Sequence, residues 1–179
     1  ISLKWSSPST TKAVVPVAQL YPSASAGVAA AWVEADIGAV PSAGSVSSVG
    51  STYSVAGSGA GIGGTADQAH FVYQSMLGDG EVVARIDSVQ NTSASARAGV
   101  MIRTGTGSGE VMAMMALTPS GSAQFISRAT AGGTATTTTV SSINAPYWVR
   151  LKRNGPTITG YISATGMPDS WAYVGRLDV

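Results

Sequence analysis

QAHFVYQ at residues 68–74, GEVVARIDSV at 80–89 and ARAGVMIRT at 96–104 decide how this chain folds. Each is short, rich in Val, Ile or aromatic residues, and bounded by Gly, Asn or Ser clusters, the pattern of a β-strand between turns. The same pattern extends outward through STYSVAG (51–57), EVMAMMALTP (110–119), AQFISRAT (123–130), PYWVRLKRN (146–154), PTITGYISA (156–164) and WAYVGRLDV (171–179). GDG, GTGSG, PSGS and NGP supply turn signals between them. VMAMMAL at 111–117 could be set on a helix, but its neighbours are strand-like and a strand absorbs it. TATTTTV at 134–140 suits an exposed strand. The expectation is an all-β, antiparallel two-sheet sandwich of about a dozen strands without helices.

Composition narrows the function. The chain has 179 residues, no Cys, one His, and 10 Lys+Arg against 9 Asp+Glu. Only 11% of its residues are charged, less than half the usual share of roughly a quarter, so Ser, Thr and Gly must form much of the solvated face. Balanced and dispersed charge argues against nucleic acid or an anionic membrane as partner. No stretch matches the roughly 20 apolar residues of a membrane span, and ISLKWSS lacks the basic start of a signal peptide, so a soluble chain is expected. The absence of Cys excludes disulfides and thiolate chemistry, and a single His excludes multi-histidine metal sites.

Three segments are expected. Residues 1–22 read as strand, turn, strand ending at a proline; residues 23–31, SASAGVAAA, have the composition of a linker; residues 32–179 form the sandwich. Strand parity then sorts side chains onto two faces. Phe71 and Tyr73 oppose His70, Val72 and Gln74. Val82, Ala84 and Ile86 oppose Glu81, Val83, Arg85 and Asp87, and Ala98, Val100 and Ile102 oppose Arg97, Met101 and Arg103. With the small and apolar members inside, one outer polar face collects His70, Gln74, Glu81, Arg85, Met101, Arg103, Gln124 and Arg128.

Two resemblances enter at these residues. TADQAHFVYQSMLGDGEVVARIDSVQNTSASARAGVMIR, continuing through APYWVRLKRNGPTITGYIS to WAYVG, resembles the concanavalin A-like lectin/glucanase (laminin G-like) modules of large secreted bacterial proteins. The resemblance implies a jelly-roll-like sandwich that holds carbohydrate on one sheet, an extracellular or cell-surface setting, and calcium as a cofactor of some members. Where an aromatic residue is expected in the run GAGIGGT, this chain has Gly63. ISLKWSSPSTTKAVVPVAQLYP is similar to the closing strands of a protective-antigen-type β-barrel domain, which implies neighbouring domains in a longer parent.

Chemistry is then weighed on the residues. Glycoside hydrolysis needs two carboxylates flanking the scissile bond; Glu34-Ala35-Asp36 supplies half of the glucanase pattern E-x-D-x-x-E, and no third acid follows. Glu34 and Asp36 read more simply as the solvated start of a strand. No nucleophile motif accompanies His70. Calcium would have to use single aspartates such as Asp36, Asp67 or Asp178, because no D-x-D-x-D loop exists. Trp148, beside Tyr147 and Val149, reads as core. The expected function is a non-catalytic, glycan-binding module with His70, Gln74, Arg85, Arg103, Gln124 and Arg128 as hydrogen-bonding partners and Met101 or Met114 as an apolar floor. A structural spacer or protein-docking domain is the alternative, and a hydrolase a minor one.

Overall fold

Valine, isoleucine and aromatic residues at every second position hold this chain extended, and glycine-rich turns reverse it. The computed structural model describes residues 13–15 and 32–179. The expected linker at 23–31, and the expected domain tail at 1–22 apart from 13–15, lie outside the described residues. The strands are β1 (Ala13–Val15), β2 (Val33–Ile37), β3 (Ser45–Val49), β4 (Thr52–Ala56), β5 (Ala69–Tyr73), β6 (Gly80–Ile86), β7 (Ala98–Arg103), β8 (Met112–Thr118), β9 (Ser122–Arg128), β10 (Thr136–Ser141), β11 (Tyr147–Asn154), β12 (Thr157–Ser163) and β13 (Ala172–Asp178). Among the described residues the one helical element is a single 3₁₀ turn, Pro168–Ser170, and no helix is long and apolar enough to cross a membrane. The chain is all-β, and VMAMMAL is a strand.

Two four-stranded antiparallel sheets, ordered β10-β9-β8-β7 and β13-β12-β11-β6, pack face to face as a sandwich. A ribbon β2-β5 and a small sheet β1-β4-β3 complete the fold. Parity builds the core as expected for β6, β7 and β9. Ala84 and Ile86 of β6, with Val149 and Leu151 of β11, face Ala98 and Val100 of β7 and Phe125 of β9, all essentially inaccessible to solvent. β8 is buried along its whole length: Met115 and Leu117 point into the sandwich, while Met112, Met114 and Ala116 lie on the opposite face of the sheet under other chain segments. The β10 threonines are exposed.

Phe125 sets the spacing between the sheets. Gly160 and Gly175 are paired neighbours on β12 and β13, and a Cβ on either would run into the Phe125 ring. The missing side chains are the space the ring fills. We predict that Phe125→Ala costs about 3–5 kcal/mol, and that Gly175→Ala, severe alone, costs much less in the Phe125→Ala background. Urea unfolding of the two single variants and the double variant measures this coupling.

Candidate functional site

The sheet face formed by β7, β8 and β9 away from the core carries Met101, Met114, Gln124, Arg103 and Arg128 together. It was expected to be solvated, and it is not. The loop from Gly61 to Asp67 lies across it and delivers Asp67 to its arginines. Gly64, at φ +56°, is in the left-handed region that glycine adopts without steric cost, and the bend at Gly63 and Gly64 presents both carbonyls to Arg128 Nη2.

Asp67 and Arg128 are both fully buried and meet through two bonds, Nη2 to Oδ1 at 2.6 Å and Nη1 to Oδ2 at 2.9 Å. Arg128 also donates to the carbonyls of Gly133 and Glu110. Hydrogen bonding to Asp67 strengthens the hold of Arg128 on its proton, against the opposing effect of burial. Arg103, with 2% of its side chain exposed, stands 3.5 Å from Asp67 Oδ2 and donates to the carbonyls of Gly105 and Gly107. Burial weakens the Arg103 cation, and the Asp67 charge opposes that effect. Arg128 and Arg103 are therefore committed to the fold rather than open to a ligand. Gln124 is held by Arg97 Nε at 2.7 Å.

His70 departs from expectation in a different way. Its strand parity is right, since Phe71 packs against the core on the opposite side, but its own side is covered. His70 is 6% exposed, and Gly44 lies so close that a Cβ there would enter the imidazole. Across the ribbon, Asp36 Oδ1 stands 2.8 Å from Nδ1 and Glu34 Oε2 3.1 Å from Nε2. Glu34 and Asp36 are thus partners of His70 rather than only a solvated strand start. Arg85 lies in the other sheet, beside Asp87 at 3.5 Å, so it does not join Arg103 and Arg128. Trp148 is half-buried and packs against the core cluster, on the face of β11 opposite Val149 and Leu151, with Gly166 close to its indole.

Among the described residues a cleft of about 560 Å³ is bounded by β5, β6 and β7 and by the loops that follow β5 and β7. Its apolar wall includes Phe71, Tyr73, Val83, Met101, Ile102 and Met114. Phe71 and Tyr73 stack with ring centroids 5.3 Å apart and planes within 8°. Gln74, Asp79, Glu81 and Arg153 supply polar groups, and Leu77 at the lip is 95% exposed. The cleft gathers His70, Gln74, Met101, Arg103 and Met114 from the predicted set and leaves out Arg85, Gln124 and Arg128. Parity places Phe71 and Tyr73 on the core side of β5, and Phe71 does pack against the core, but both rings also line the cleft, which alternation within one strand does not disclose.

The cleft walls offer stacking surface and hydrogen bonds. They do not offer a metal centre, because among the described residues no three His, Asp or Glu side chains are placed to hold an ion. The aspartates singled out for calcium are otherwise engaged: Asp36 by Gly44 N–H and His70, Asp67 by the arginines, Asp178 by Arg176 and Thr157. Comparison with family models, curated proteins and solved structures gives no match for this chain.

We predict that Arg128→Met destabilises the protein by about 3–5 kcal/mol, because it leaves Asp67 buried beside a weaker partner. Asp67→Leu combined with Arg128→Met should cost less than the sum of the single changes, as read from urea unfolding curves.

Proposed function

We propose that this chain is a non-catalytic carbohydrate-binding module of a multidomain extracellular bacterial protein, with the jelly-roll topology of concanavalin A-like modules, and that the β5–β6–β7 cleft is its glycan site. The observation that carries the reading is the stacked Phe71–Tyr73 pair in a cleft that is also lined by Gln74, Glu81 and Arg153. A pyranose ring has an apolar C–H face and an equatorial belt of hydroxyls. Aromatic faces take the first, and amide, carboxylate and guanidinium groups take the second. A cleft of this volume suits a small ligand or a short part of a longer one.

The non-catalytic reading rests on the carboxylates. Asp79, just before β6, and Glu81, its second residue, lie two residues apart on one segment, and both line the cleft. Asp79 Oδ1 accepts the Gly155 N–H at 2.6 Å, and Glu81 faces Arg150 at 4.0 Å. A pair on opposite sides of the bond is what hydrolysis requires. The glycan site of this proposal is thus the cleft, in place of the solvated sheet face expected from parity.

A glycan array tests the proposal. Saturable binding to at least one saccharide is expected, with Tyr73→Ala weakening it about tenfold, equivalent to ~1.4 kcal/mol, Tyr73→Phe largely retaining it, and thermal melting of the latter unchanged. A blank array overturns the reading in favour of a spacer or docking domain. Release of reducing ends from a bound polysaccharide overturns the non-catalytic part.

A further inference from the structure

The cleft wall does not stop at β6. Glu81 and Val83 line the cleft, and they stand on the face of β6 opposite the core residues Ala84 and Ile86, in the terminal strand of its sheet. Strand register carries that surface onward: Val83 pairs with Arg150, Arg150 with Tyr161, and Tyr161 with Tyr173. Directly paired residues share a face, so these four form one row across the outside of the sheet. At ~4.8 Å per strand the row runs about 14 Å from β6 to β13.

The row is built around a held guanidinium. The Arg150 carbon Cζ lies 4.6 Å from the centroid of the Tyr161 ring and 4.3 Å from that of Trp171, and such cation–π contacts fix its plane. Its Nε is buried without a hydrogen-bond partner, and the carboxylate paired with it, Glu81, is at the 4.0 Å limit of an ion pair. Tyr161 meets Tyr173 edge-on at 6.1 Å. The register shift at Gly160/Tyr161 accompanies burial of both Val174 and Gly175 on β13, while Tyr173 stays 60% exposed. The end of the row is therefore an open aromatic face. Lys152, one pair along β11, adds a second cation opposite Glu81, whereas Arg176 is engaged by Asp178.

We infer that cleft and row form one groove that binds the interior of an acidic polysaccharide, with a uronate carboxylate at Arg150 and a sugar ring stacked on Tyr173. The inference rests on the cleft being a glycan site and names the ligand class of that site. A guanidinium held flat by two rings is pre-organised for a planar two-oxygen acceptor, so less entropy is lost when a carboxylate arrives. A row spanning four strands has room for several units, so it favours a chain over a free sugar.

Calorimetric titration of the protein with uronate hexamers (galacturonate and mannuronate), the same hexamers after reduction of their carboxyl groups to alcohols, and uronate dimers tests this. A hexamer is expected to bind about tenfold more tightly than its reduced form and than the dimer. Tyr173→Ala should remove the length advantage and weaken charged and reduced hexamers alike, and Arg150→Gln should remove the charge advantage while leaving the affinity for the reduced hexamer near that of the wild type. Tyr173 is exposed, so unchanged thermal melting of Tyr173→Ala keeps the test independent of folding. Equal affinity for charged and reduced hexamers, or for dimer and hexamer, overturns the inference while the cleft proposal stands. Failure of every saccharide here and on the array overturns both. Charged-hexamer binding that Tyr173→Ala does not alter, and that disappears at physiological salt, is unspecific attraction and also overturns the inference.

Discussion

A carboxylate with no exposed surface, Asp67, has to be neutralised where it lies, and much of the architecture around the cleft follows from that. Taking an ion out of water costs several kcal/mol unless partners and hydrogen bonds replace its solvation. Here Arg128 of β9 and Arg103 of β7 approach Asp67 from the sheet beneath it. The same guanidinium groups use their remaining N–H bonds on carbonyls of the 63–64, 105–107, 110 and 133 segments. One buried charge thus reinforces the backbone bonds that join these loops, from Ala135 N–H to the Gly64 carbonyl, Asp67 N–H to the Ser108 carbonyl and Gly132 N–H to the Gly109 carbonyl. β5 begins two residues after Asp67, so the same anchor positions the strand that carries Phe71 and Tyr73 into the cleft.

The division between what the sequence disclosed and what it concealed follows from the range of each interaction. Alternation in GEVVARIDSV and ARAGVMIRT is local, and it correctly placed Ala84, Ile86, Ala98 and Val100 inside. It also put Met101, Arg103, Gln124 and Arg128 on one face. What alternation cannot contain is whether another segment covers the second face. That depends on contacts distant in sequence, such as Asp67 with Arg128 and Gly44 with His70. For this reason alternation alone reads a face rich in polar residues as wet. Trp148 shows the same limit from the other side: parity alone sends it opposite Val149 and Leu151, yet its large apolar ring still packs against the core cluster.

Arginine serves two different ends in this chain, and the distinction lies in partners rather than burial. Arg128 and Arg103 are satisfied by a carboxylate and carbonyls, which makes them struts. Arg150 is held by ring faces, which restrict its motion while leaving donor capacity unused. The glycines divide similarly. Gly160 and Gly175 make room for a ring inside the sandwich, whereas Gly64 turns the chain so that a carbonyl reaches an arginine. In both cases the placement of a few residues between the sheets and above them determines which surface is left for a ligand.

The enclosure of His70 gives the molecule a built-in reporter. It is the chain's single imidazole, nearly buried beneath Gly44 beside the cleft and bracketed by Glu34 and Asp36 on the two-stranded ribbon. Every histidine resonance in a magnetic-resonance spectrum of this protein therefore originates from one place. Its chemical shift, and its accessibility to an acylating reagent, would register opening of that ribbon separately from unfolding of the sandwich beside it.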